Sequence, residues 1–118
     1  MTAITPPDAH LALEAENPEL IRAKIIAETA RINWLDLQKF YAAGSVITVA
    51  PGLDLIDVAF AFSQDNKAQV ASWLAAGQVG RTSEQQAAHW YGTKADLWAV
   101  VISPWVLVQE KPLSTQLN

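Results

Sequence analysis

Along most of the chain the apolar positions recur at spacings of three and four, the period of one helix face. Asn17 stands where a cap is needed, Pro18 suits the first helical position, and Glu19 faces the positive end of the dipole. These signals predict a helix from 18 to about 31, with Ile21, Ile25 and Ile32 on one face. "INWLDLQKFYAAG" predicts a second helix, with Asn33 and Asp36 as a capping box, Gly44 as the stop, and Trp34, Leu37, Phe40 and Tyr41 as its stripe. Asp54 and Asp57 open a third, which turns Leu55, Val58, Ala59 and Phe62 inward. Asp65 caps a fourth, which carries Val70, Trp73 and Leu74 and stops at Gly77. Ser83 and Gln86 open a fifth that stops at Gly92. Two β-branched segments, 45–50 and 78–82, interrupt this period as short strands.

The stretch "LWAVVISPWVLVQE" breaks the helical pattern. Alternation puts Trp98, Val100, Ile102, Val106 and Val108 on one face and Leu97, Ala99, Val101, Trp105 and Leu107 on the other, if Pro104 leaves the register intact. Proline cannot donate to a ladder, so the reading is one long strand over 97–109, bent near Ser103–Pro104. Both faces are apolar and both need cover: helices on one, and either more helix or a second subunit on the other. The fold class expected is α+β, about five helices on a small three-stranded sheet, with a winged-helix arrangement as one option.

Length and composition narrow the function classes. The 118 residues form a single α+β domain over 18–111, with flexible tails at 1–17 and 112–118. A 51% apolar composition is that of a packed globule. The net charge of −4 repels a phosphate backbone, so no nucleic-acid partner is expected. The longest apolar run is too short to span a bilayer, so no membrane partner is expected either. Without cysteine there is no disulfide or thiolate chemistry, which fits a cytoplasmic setting.

The candidate chemistry is sparse. Glu28 falls within the Ile21–Ile25–Ile32 stripe, where a carboxylate is half-buried. It reads first as a partner of Lys24 or Arg31, which lie within one turn, and second as a tuned acid or base. Arg81 is the cation of the apolar half. It suits a carboxylate ligand, with Glu84 or Asp96 as the structural alternative. His10 lies in the tail, and His89 has no second ligand at metal spacing, so no metal site, no cofactor and no catalytic residue are assigned. Residues 58–74 have a helix-turn-helix outline, but the second helix offers Lys67 alone against phosphates.

Four segments, "AETARINW", "VAPGLDLIDVA", "SQDNKAQVASWLAAGQV" and "LWAVVISPWVLVQE", resemble a small bacterial family, domain of unknown function 2288, over roughly 20–110. The resemblance implies a cytoplasmic bacterial protein and brings no activity or site residues. The leading expectation is a non-enzymatic module that self-associates or binds another protein. It takes the form of a homodimer with Trp98, Pro104 and Trp105 at the interface, on the strength of the doubly apolar strand and five tryptophans. The alternatives are a winged-helix-like regulator and a small enzyme or ligand binder using Glu28 and Arg81.

Overall fold

A computed structural model describes residues 17–110. The tail expectations and His10 fall, apart from Asn17, outside the described residues. The described elements are α1 (Pro18–Glu28), β1 (Ala30–Asn33), α2 (Trp34–Ala42), β2 (Val46–Val49), α3 (Leu55–Ser63), α4 (Lys67–Ala75), β3 (Val79–Arg81), α5 (Glu84–Thr93), β4 (Asp96–Ile102) and β5 (Trp105–Gln109). The class is α+β and the described residues hold five helices, as expected, but their sheet has five strands in the order β1-β4-β5-β2-β3. β2 and β5 run parallel, and the other neighbours are antiparallel.

Two differences account for the extra strands. The stretch over 97–109 is a hairpin, not one bent strand. Ser103 and Pro104 form its two-residue connection, and Ile102 pairs directly with Trp105. Directly opposed residues share a face, whereas positions three apart on one strand do not. Trp98, Val100 and Ile102 therefore lie on the face of Trp105, Leu107 and Gln109, while Leu97, Ala99 and Val101 lie with Val106 and Val108. The second difference is β1. The first helix stops at Glu28, where the Thr29 hydroxyl donates to the Ile25 carbonyl at 2.7 Å. Ala30–Asn33 then pairs with Asp96–Ala99. Ile32 satisfies the helical spacing and the strand equally well, and the pairing partner 65 positions away decides between them.

Each sheet face is covered by the chain's own helices. On one face Ile47, Val49, Val79, Val100 and Leu107 pack beneath Ile25 of α1 and Leu55, Val58 and Ala59 of α3, with Trp73 of α4 at the margin. On the other face Val46, Leu97, Ala99, Val106 and Val108 meet Trp34 and Leu37 of α2 and Ala87 and Trp90 of α5. Burying each valine, leucine or isoleucine among them fully is worth about 1.5–3 kcal/mol. Helices of the chain itself therefore pack on both faces of the doubly apolar hairpin. A central five-stranded sheet between helices on both sides is also not the arrangement of a winged-helix domain, although the α3–α4 pair exists.

The caps follow the sequence with local shifts. Asn17, Asn33, Asp54 and Ser83 accept from backbone N–H groups at their helix starts. Asp57 does not close a box. It takes Arg22 of α1 at 2.7 Å, and the Arg22 guanidinium also lies 4.5 Å from the Phe60 ring centre. Asn66, not Asp65, caps α4, because Asp65 is used in the left-handed conformation (φ 54°) that ends α3. Gly92 is inside α5, and Lys94 (φ 52°) supplies the left-handed residue after it.

Candidate cleft between α4 and the β4–β5 turn

By burial, α4 is the most weakly anchored of the described helices. None of its nine residues is fully buried. Val70 and Trp73 are half-buried, whereas Ala71 and Leu74 are exposed, and the Ala71 methyl group does not reach the sheet as a large side chain would. The space left over is a cleft of about 490 Å³. Val70, Ala71 and Leu74 form its helical wall, and Ile47, Val79, Ile102 and Trp105 its sheet floor. Ser103 and Pro104 close one side, and Asp65, Asn66 and Lys67 stand at another. Leu74 is 51% exposed here, although the helical pattern places it inward.

Arg81 is the polar group of this floor. It stands opposite Ile47 on β3 and so projects from the cleft face of the sheet. Its guanidinium carbon lies 5.7 Å from the Trp105 ring centre, within cation–π range. Neither Glu84 nor Asp96 pairs with it. Asp96 instead accepts from Asn33 at 2.9 Å. Lys67, the other cation of the rim, is 4.0 Å from Asp65, and both are well exposed.

Of the residues singled out in the sequence, Arg81, Pro104 and Trp105 thus meet in one place. Trp98 shares their sheet face but lies toward β1, under the Arg31 guanidinium at 5.3 Å. Glu28 is elsewhere and exposed, at the end of α1. It leads into β1, the sheet edge opposite Arg81 on β3, and four strand spacings make that about 19 Å. A single pocket using Glu28 with Arg81 is therefore not formed, and Glu28 makes no ion pair with Lys24 or Arg31 among the described residues. The half-buried position expected for Glu28 depended on the helix continuing to Arg31, and it ends at Glu28 itself. The contribution of α4 to the site was missed. Its signal is the alanine content of "NKAQVASWLAAG", which leaves volume unfilled.

A second cleft, of about 370 Å³, opens by the β2–β3 edge. Thr48, Gly80, Ser83, Gln86 and Glu110 line it. Three of its polar side chains are engaged: the Thr48 and Thr82 hydroxyls share a hydrogen bond of 2.7 Å, Ser83 caps α5, and Glu110 accepts from the Trp90 indole at 3.0 Å. Gln78 and Gln86 also line it, and Arg81 borders both clefts. Among the described residues no group of three or more His, Asp or Glu side chains could hold a metal ion, and no helix is long and apolar enough to cross a membrane.

Comparison with known proteins agrees with the fold. The NMR solution structure of PA1075 from Pseudomonas aeruginosa is 40% identical in sequence and superposes with a TM-score of 0.70. The match covers 81% of this chain and 89% of that one. No curated protein matches the chain. The family model described as "Protein of unknown function (DUF2288)" matches residues 20–110, all but the first three of the described residues. The chain therefore belongs to the DUF2288 family.

Proposed function

We propose that this chain is a non-enzymatic binding module whose recognition site is the cleft between α4 and the β4–β5 turn. The observation that carries the reading is the convergence of Arg81, Pro104 and Trp105 on one apolar cavity whose helical wall lacks a buried anchor. Such a wall can adjust to an occupant at small cost, because little core packing is lost when it moves. Apolar walls with one oriented polar group are the composition of ligand sites in general. A cytoplasmic setting belongs to the same reading, supported by the cysteine-free sequence.

The test is a backbone-amide NMR titration with neutral aromatic fragments such as indole and benzyl alcohol. Shifts are expected at residues 67–74 and 102–105, which border this cleft and not the one at Thr48. Ala71→Trp, at an exposed helical position, fills the cavity and removes them. Shifts that cluster at the Thr48–Gly80 cleft, or that survive Ala71→Trp unchanged, refute the reading.

Self-association is a second reading, favoured by one observation. β1 pairs with β4 only as far as Ala99, so among the described residues Val100–Ile102 have no strand on their outer edge, and Val101 there is 56% exposed. An open apolar edge is a template for pairing with another copy. Light scattering at micromolar concentration should then give twice the monomer mass, and Val101→Lys should halve it. A monomer at all concentrations rejects this reading and leaves the first intact.

A further inference from the structure

We infer that the cleft takes a small apolar carboxylic acid, with Arg81 as the group that receives its carboxylate. The inference rests on the cleft being the recognition site and names what it recognises. Three observations converge on it.

The first is the state of the guanidinium. Arg81 has no acidic partner within ion-pair distance among the described residues, and it rests against the Trp105 ring. The contact holds the cation by its carbon framework. The five N–H donors lie in the guanidinium plane and stay available for a planar, two-oxygen acceptor. A lysine at this position would present a point charge without that fork.

The second is charge. The chain as a whole carries −4, yet this cleft contributes Arg81 and Lys67 against Asp65. The charged side chains that line the cleft therefore sum to a positive charge, which favours an anion there. A neutral ligand would gain nothing from that contrast.

The third is size and wall chemistry. A volume of about 490 Å³ falls within the roughly 300–1,000 Å³ of small-molecule sites. Val70, Leu74, Ile102 and Trp105 offer an apolar body its contacts, and the neighbouring edge strand β3 has three residues, too few to seat an extended peptide as an added strand.

The probes are 3-phenylpropionate and 3-phenylpropionamide, equal in shape and different in charge. Both are titrated into the full chain and followed through the amides of residues 67–74, 79–81 and 102–105 and the Trp105 indole. The acid is expected to bind about tenfold more tightly than the amide, a ratio typical of one charge-assisted pair. Arg81→Gln should bring the ratio close to one while the amide still binds, and raised salt should weaken the acid alone. Equal affinity of acid and amide in the wild-type cleft overturns the carboxylate inference and leaves the cleft standing as a recognition site. Acid preference that persists in Arg81→Gln overturns the assignment to Arg81. If neither probe shifts these residues at about 10 mM, the inference fails outright, and the neutral-fragment titration decides the wider reading separately.

Discussion

Gln109 is a buried amide with a defined task, and replacing it is the most informative stability experiment on this fold. The residue is 5% exposed, on the last turn of sheet register opposite Trp98. Its Nε2 donates to the Ala50 carbonyl at 2.8 Å and to the Leu53 carbonyl at 2.6 Å. One side chain thereby fastens the loop that joins β2 to α3. Gln109→Met keeps the length and removes both donors. Each lost hydrogen bond costs about 0.5–1.5 kcal/mol net, and the carbonyls left short of a partner add to that, so the total is about 2–4 kcal/mol. Urea unfolding followed by tryptophan fluorescence reads this directly: at a slope near 2 kcal/mol per M the midpoint falls by about 1–2 M. Gln109→Glu adds a pH signature. A carboxylate facing two carbonyls is disfavoured, so the folded state raises the pKa of the new carboxyl above its unfolded value. The protonated form is the one the fold accepts. The variant's deficit relative to wild type is therefore smallest below the unfolded pKa and grows as pH rises through the folded one. Unfolding free energies for both variants within about 0.5 kcal/mol of wild type at neutral pH would refute the latch.

Leu107 is fully buried on β5 at the centre of the sheet, and Leu107→Ala should cost about 3–5 kcal/mol in the same assay. Asp57→Asn breaks the Arg22 pair, but the two side chains are 54% and 41% exposed, so the loss should stay under about 1 kcal/mol and shrink with added salt. Lys94 occupies a left-handed conformation at the end of α5, and Lys94→Gly should raise stability by about 0.5–1 kcal/mol, visible as a higher melting temperature.

Helix positions were legible wherever a cap and a stripe agreed. Asn17, Asn33, Asp54 and Ser83 start their helices as the sequence indicates, because a cap acts within three residues of itself. Pairing is not local, and there the sequence was ambiguous. Ile32 belongs to a helical stripe and to a strand alike until Leu97 stands opposite it. Pro104 signals a break without saying whether the chain bends or reverses. Two neighbouring residues in the turn decide it, and with it the face of every residue from 105 onward. The site was half visible for the same reason. Arg81 and Trp105 stand out by chemistry, but their meeting depends on β3 and β5 flanking β2, and the cavity depends on α4 failing to fill it. Glu28 drew attention through a periodicity that the helix does not continue.

The placement of β5 also governs how this protein is made. The strand lies between β4 and β2, so it is the piece that joins the β1–β4 pair to the β2–β3 pair. On a translating ribosome β3 is complete at Arg81, and β5 is complete 28 residues later, at Gln109. At about 5–20 residues per second that interval lasts roughly 1–6 s. Throughout it, Ile47 and Val49 have no strand on one side, and neither helical layer has a finished surface to settle on. The nascent chain thus waits with an apolar, unpaired edge, the kind of surface that chaperones bind. The sheet becomes continuous only when this strand takes its place between β4 and β2.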